Sequence, residues 1–141
     1  MTDTIATDNP FTPQERTILR TLAGMIIPPS SAYQVPGADD DLIFADILNT
    51  ARANVNEVRT ALAFAQSIDK PLQSATAELQ GSPELNPVVT IVMQCYYRDD
   101  RVMESLNMEA RPPFPKGFEV PQGDWSILEP VQQRGKIWRD A

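Results

Sequence analysis

The sequence predicts an all-α protein, a single-domain irregular helical bundle of about five helices with an extended, proline-rich C-terminal arm. Three observations support this fold class. Apolar residues recur at helical spacings of three and four through most of the chain. The 13 prolines divide these stretches into segments, and several stand where a helix begins or ends. The chain of 141 residues has the length of one domain.

The first predicted helix begins at Thr12. Thr12 suits the N-cap position, Pro13 suits the first turn, and Glu15 can close a capping box. Pro28 and Pro29 end the helix, because neither ring donates a backbone N–H. The apolar stripe between these two signals consists of Ile18, Leu19, Leu22, Ala23 and Ile26.

A loop over residues 30–38, with a turn signal at Pro36-Gly37, precedes the second helix. The acidic triplet Asp39-Asp40-Asp41 favours the positive N-terminal end of that helix. The triplet does not fit a calcium loop, since Phe44 stands where glycine is needed and Thr50 where a glutamate is needed. The broad apolar face of this helix consists of Leu42, Ile43, Ala45, Ile47, Leu48 and Ala51.

The third helix has Asn54 as its predicted N-cap, with Glu57 closing a capping box. A weaker helical segment starts at Pro71 and ends at Gly81, a residue that suits a C-cap. The apolar residues of these two segments are Val58, Ala61, Leu62, Ala65 and Ile68 in the first, and Leu72, Ala75 and Leu79 in the second.

The longest predicted helix runs from about Pro87 to Leu106, after a tight turn. The β-branched run over residues 88–92 favours a strand by propensity alone, but the helical period continues too far for a strand. We therefore expect a helix. Its apolar stripe consists of Val88, Ile91, Val92, Cys95, Tyr96, Val102, Met103 and Leu106.

The predicted organisation is a helical core over residues 12–107, a proline-rich arm over 108–123, and a short C-terminal helix and tail over 124–141. Four prolines and two glycines in the arm favour an extended, partly polyproline-like course. A last capping box at Ser126-Ile127-Leu128-Glu129 predicts the final helix, which ends near Gly135.

Two small counts exclude much of protein catalysis. The chain has no histidine and one cysteine, Cys95. It therefore lacks the residues for a Ser-His-Asp triad, a Cys-His dyad, a His-ligated zinc site or an internal disulfide. Glycine-rich nucleotide motifs are absent too. We expect no catalytic set, cofactor or metal on this chain, with Cys95 buried as a small hydrophobic residue.

The charge balance is acidic, with 12 Lys and Arg against 19 Asp and Glu, a formal net charge of -7. Such a chain repels phosphate backbones, so we expect no nucleic-acid partner. No apolar run approaches the ~20 residues that span a bilayer. The first ten residues lack the features of a secretory signal and a twin arginine. We therefore expect a cytoplasmic protein unless a partner carries it out.

The densest polar cluster is Tyr96-Tyr97-Arg98-Asp99-Asp100-Arg101. In one interpretation a tyrosine is a proton donor tuned by Arg98 or Arg101. In the interpretation we favour, Tyr96 packs in the core while the arginines and aspartates pair around the helix, because no base or cofactor motif lies nearby. The two arginines pair across an interface in a third interpretation.

The segment Arg111 to Gly117 is either an arm packed on its own helices or an arm held against a partner. Pre-ordered proline segments lose little entropy on binding, and buried aromatic residues dominate interface energetics. The candidate interface residues are Arg98, Arg101, Pro112, Pro113, Phe114, Pro115, Phe118, Trp125 and Trp138.

Two groups of segments together resemble the gluconate 2-dehydrogenase subunit 3 family, over residues 12–139. These are small helical subunits that accompany a large FAD-dependent sugar or alcohol dehydrogenase of the glucose–methanol–choline type. The first group is Leu22-Ala23-Gly24-Met25-Ile26-Ile27-Pro28-Pro29 with Pro36-Gly37-Ala38-Asp39. The second is Tyr96 to Met103, Arg111 to Phe118, Asp124-Trp125 and Arg134-Gly135.

The resemblance implies an accessory role. In such complexes the FAD and the catalytic histidine lie on the large subunit, and the small subunit supports its folding, stability and sometimes its export. Many family members begin with a twin-arginine signal, which this chain lacks. We therefore expect a non-catalytic subunit with a large flavoprotein partner.

Two alternatives remain open at this point. One is a homo-oligomeric helical scaffold without a flavoprotein partner. The other is a stand-alone enzyme that uses Tyr96 or Tyr97 with Arg98.

Overall fold

The protein is described by a computed structural model over residues 9–110 and 123–136. The chain divides into two compact units, residues 1–111 and 112–141. The described residues are mainly helical and contain no β-strand, only an isolated antiparallel bridge between Ser30 and Val35. The predicted all-α class is confirmed.

The α-helices of the described ranges lie in both units. They are α1 Pro13–Ile26, α2 Asp41–Ala51, α3 Val55–Ser67, α4 Thr76–Leu79, α5 Asn86–Tyr97 and α6 Asp100–Ser105 in the first unit, and α7 Glu129–Gln133 in the second.

Helix α5 is the central element of the first unit, because it contacts α1, α2 and α3. Its buried face is the predicted stripe Val88, Ile91, Val92, Cys95 and Tyr96. Fully burying an aliphatic side chain contributes roughly 1.5–3 kcal/mol, so this core stabilises the fold more than any polar contact does. The largest fully buried side chains opposite α5 are Leu19, Leu22, Ile43, Ile47, Val58 and Leu62.

None of the helices in the described ranges is both long enough and apolar enough to cross a membrane.

The predicted start of α1 is confirmed. Thr12 Oγ1 accepts a hydrogen bond from the Glu15 N–H at 3.2 Å, and the Thr12 N–H donates to Glu15 Oε2 at 2.7 Å. Glu15 Oε1 also accepts from Arg59 Nε at 2.9 Å. Since Arg59 belongs to α3, the capping box at the start of α1 also joins these two helices.

Two predicted capping boxes are wrong. Asn54 makes no side-chain cap bond, because a 3₁₀ turn over Arg52–Asn54 runs directly into α3 and leaves Asn54 outside the extended conformation that capping needs. In the second unit, Asp124 and not Ser126 is the capping residue. Asp124 Oδ1 accepts from the Ser126 N–H at 3.0 Å and opens the 3₁₀ turn Trp125–Leu128 that leads into α7.

The single long helix predicted from Pro87 to Leu106 is also wrong, because it breaks after Tyr97. Asp99 has an extended backbone, with φ -67° and ψ 131°. Its carboxylate accepts from the Arg101 N–H at 3.0 Å. Aspartate bonds readily to nearby backbone amides, and this local bond competes with helix propagation. The result is two helices, α5 and α6, with Asp99 as the N-cap of the second.

The loop between α1 and α2 turns back tightly on itself. The Ala38 N–H donates to the Ile27 carbonyl at 2.9 Å, and the backbone at Gly37 is buried. A Cβ atom at Gly37 would lie 2.6 Å from Asp39 Oδ1 and 2.9 Å from Pro29 Cδ. The loop therefore needs glycine at this position.

We expect Gly37→Ala to lower the free energy of unfolding by about 1–3 kcal/mol, because the added methyl group forces the rigid Pro29 ring and the backbone apart. Denaturant titration measures this change. Gly123→Ala is the matched control, since a Cβ atom there meets no heavy atom within 4 Å. A Gly37→Ala variant as stable as the control would contradict the tight packing of this loop.

Candidate functional site

The predicted polar cluster lies where α5 ends and α6 begins, against α2 and the loop before it. Three side chains of the cluster form hydrogen bonds with α2 or with the loop before it. Each makes a polar contact that joins residues distant in the sequence. We call this set of contacts the α2–α5 clasp, and its pairs are Tyr96 with Pro36, Arg98 with Asp46, and Arg101 with Asp40.

Tyr96 is the buried member of the clasp. Its hydroxyl group donates to the Pro36 carbonyl at 3.0 Å, and its ring meets Tyr97 edge-on with centroids 5.4 Å apart. Burial, more than the nearby charges, raises the pKa of Tyr96. The phenol therefore keeps its proton at neutral pH and acts as a fixed donor to the loop.

Arg98 binds Asp46 with both branches of its guanidinium group. Nε donates to Asp46 Oδ2 at 2.6 Å, and Nη2 donates to Asp46 Oδ1 at 2.5 Å. Nη2 also donates to Thr50 Oγ1 at 2.7 Å. The hydrogen bonds that Arg98 donates to Asp46 raise the pKa of Arg98 above its usual value. This bidentate ion pair connects the end of α5 to the middle of α2.

Cys95 lies beside this ion pair. Its Sγ atom is 3.4 Å from Thr50 Oγ1 and 3.6 Å from Arg98 Nη2. Burial raises the pKa of the thiol, so the thiolate that a nucleophile requires is disfavoured at neutral pH. The thiol is buried, as the sequence predicted.

Arg101 connects two helix N-caps. Its Nη2 donates to Asp40 Oδ1 at 2.7 Å, and its Nε donates to Asp99 Oδ1 at 3.0 Å. Asp40 caps α2 by accepting from the N–H groups of Leu42 and Ile43, which confirms that the acidic triplet opens a helix. The hydrogen bond from Arg101 is the largest of the causes that lower the pKa of Asp40.

Three of the nine predicted interface residues lie within the described ranges. Arg98 and Arg101 pair with aspartates of their own chain, as in the interpretation we favoured. Asp46 of α2 and Asp40, the N-cap of that helix, replace some of the expected partners. Trp125 begins the 3₁₀ turn of the second unit and is 67% exposed. The other predicted interface residues lie outside the described ranges, and the interface role of all nine stays a prediction. Those outside are Pro112, Pro113, Phe114, Pro115, Phe118 and Trp138.

Sequence reasoning missed Asp46 and Thr50. Both are polar residues of helix α2, and they are four residues apart, which places them on one face. This spacing indicates that the two side chains can bind the same polar partner. It does not identify Arg98, which lies 52 residues from Asp46, as the partner.

The polar side chains of the clasp are already bonded to groups of the same chain. Its two guanidinium groups already bind carboxylates of the same chain, and its phenol is bonded to the backbone. Over residues 9–110 and 123–136, no three acidic, cysteine or histidine side chains are grouped so that they could hold a metal ion. The arrangement therefore holds two helices together.

Comparisons of the chain with protein-family models, with curated proteins and with solved structures give no match in any of the three. The two groups of segments that carry the family resemblance nevertheless meet in space, since Tyr96 of the second donates to Pro36 of the first. Membership of the family stays a prediction.

We expect the Asp40–Arg101 contact to stabilise the fold in a pH-dependent way. Folding lowers the pKa of Asp40, so the ionised group stabilises the protein above the ordinary aspartate value of about 3.9. This contribution is lost as the pH falls through the lowered folded-state value. Asp40→Asn removes the charge but keeps a good N-cap. The variant should be less stable at neutral pH by up to about 1 kcal/mol, since the pair is partly exposed.

Denaturant titration between about pH 6 and pH 2 tests this expectation. The difference in unfolding free energy between wild type and Asp40→Asn should shrink as the pH falls. Asp69→Asn is the control, because Asp69 is exposed and forms no ion pair within the described residues. A difference that stays constant over the whole range would contradict the role of the ionised carboxylate.

Proposed function

We propose that this chain is the non-catalytic accessory subunit of a hetero-oligomeric FAD-dependent sugar or alcohol dehydrogenase of the glucose–methanol–choline type. The partner supplies the FAD and the bond-breaking residues. The absence of histidine from the whole chain and the family resemblance of its segments support this proposal. The clasp adds support, because it commits the one dense polar cluster to holding helices together.

The observation that carries the proposal lies in the second unit. Every described residue of this unit, over 123–136, is exposed. Ile127 is 73% exposed and Val131 is 55% exposed, and the two are four residues apart on one short helical segment. Trp125 and Leu128 lie on the same segment. Exposed apolar residues grouped in this way are typical of a surface that another protein covers.

Such a subunit needs no chemistry to affect its partner. A protein that binds only the folded form of another raises its stability by mass action, by about 2.7 kcal/mol when its free concentration is 100 times the dissociation constant. Covering an exposed apolar surface also lowers aggregation of both chains. Yield and flavin retention of the large subunit are therefore the quantities that this chain should control.

Co-expression tests the proposal. A large flavoprotein from a reading frame that neighbours this chain's own is produced with and without the chain, and soluble yield, flavin content and turnover are measured. We expect all three to fall when the chain is omitted. Ile127→Gln with Val131→Gln should reproduce part of the loss, because the substitution removes apolar contact area without adding charge.

Leu42→Gln is the matched control, since Leu42 is 69% exposed but belongs to α2. Equal yield, flavin content and turnover with and without the chain would contradict the proposal. A symmetric oligomer of the isolated chain, indifferent to the flavoprotein, would support the scaffold alternative instead.

A further inference from the structure

Helix α5 has an outward face in addition to its buried one. Val89, Met93 and Tyr97 follow one another at intervals of four, which places them on one side of the helix. Met93 is 46% exposed and Tyr97 is 50% exposed, whereas Val89 is partly buried. We call these three residues the α5 outer stripe. Over its length, about 12 Å, the central helix of the fold presents apolar side chains to solvent.

The stripe begins at an apolar cavity. This cavity has a volume of about 340 Å³ and lies between the end of α1, α4 and the start of α5. Its lining includes Met25, Ile26, Leu79, Leu85 and Val89. Because Val89 belongs to both the cavity and the stripe, the two form one continuous apolar surface along α5.

Two carboxylates lie close to this surface along the chain, one near each of its ends. Glu84 stands next to Leu85 of the cavity, and Asp100 follows Tyr97 by three residues. Both carboxylates are exposed and form no ion pair with a described residue. Arg98 and Arg101 are the only cations from residue 71 to 110, and both bind carboxylates of the clasp. Among the described residues, no cation therefore neutralises Glu84 or Asp100.

We infer that the cavity and the α5 outer stripe bind a basic amphipathic helix of a partner protein. An apolar side chain of that helix fills the cavity, its next turns pack along Met93 and Tyr97, and its Lys or Arg residues face Glu84 and Asp100. The ridge of a helix such as α5 packs well into the groove of another helix. The inference rests on the proposed function, because it takes from that function that the protein bound at this surface is not a second copy of the chain.

Charge complementarity favours this occupant over a second copy of the chain. A symmetric dimer would bring carboxylates of the two copies close to one another, and like charges opposed at an interface are unfavourable. A basic helix meets the opposite sign at both ends. Apolar residues between two charged margins also fix the register in which the helix lies.

The test uses the full chain and two synthetic peptides. Both peptides are amphipathic helices with leucine at positions i, i+3, i+4 and i+7, and the polar positions are lysine in one and glutamate in the other. Fluorescence anisotropy measures affinity, and NMR chemical shifts locate the contact. We expect the lysine peptide to bind at Val89, Met93 and Tyr97, with an affinity that falls as salt is added. We expect the glutamate peptide not to bind.

Two pairs of variants separate apolar from charged contributions. Met93→Gln should weaken binding by about tenfold, as for an interface anchor, while Leu42→Gln on α2 should leave it unchanged. Glu84→Gln with Asp100→Asn should weaken binding and reduce its salt dependence. Glu57→Gln with Asp69→Asn removes the same net charge from other exposed positions and should have a smaller effect. Thermal unfolding checks that each variant is folded.

Four outcomes would overturn the inference: no binding of the lysine peptide, equal binding of both peptides, chemical-shift changes away from the stripe, or equal effects of the groove and control variants. Each is independent of the co-expression experiment. An accessory subunit that binds its flavoprotein but not the lysine peptide would refute this surface and leave the proposed function standing.

Discussion

The hydrogen bond from the buried hydroxyl group of Tyr96 to the Pro36 carbonyl is the contact on which the arrangement of the first unit depends. A buried hydroxyl without a partner is costly, so the loop before α2 must bring an acceptor to this point. Gly37 allows the tight turn that does so. The same turn places Asp40 where it caps α2 and meets Arg101, while Arg98 reaches Asp46 further along the helix. The buried donor and the two arginine pairs thus hold α2 against α5 together.

Some local features of the fold could be predicted from the sequence, whereas the long-range ones could not. The capping box of α1 involves residues three apart, and the buried stripe of α5 follows from its period alone. The break after Tyr97 depends on a competition between helix propagation and the Asp99 side chain. The Arg101–Asp40 contact, across 61 residues, adds to this competition, and no pattern in a single sequence reports such a distance.

The candidate site shows the same division. The sequence identified the Tyr96 to Arg101 cluster and anticipated that its arginines would pair with aspartates. It did not identify Asp46 or Thr50, because a polar pair on one helix has many possible partners. The exposed segment of the second unit was anticipated only through Trp125. Ile127 and Val131 were missed, since exposure depends on what the rest of the fold leaves uncovered.

The charged side chains and the exposed apolar side chains of this protein have different roles. The charged side chains of the clasp are bound within the chain, where they stabilise the first unit. Exposed apolar side chains are grouped on α5 and on the segment before and within α7, and such groups are suited to contact another protein.

Native-state hydrogen exchange of the α2 amides tests the role of the clasp most directly. The comparison is between wild type and Arg98→Gln with Arg101→Gln, with Arg52→Gln as the control because Arg52 forms no ion pair within the described ranges. If the clasp holds α2 against α5, the α2 amides exchange faster in the double variant while those of α3 keep their protection. Unchanged α2 amides, or an equal acceleration in every helix, would contradict the account.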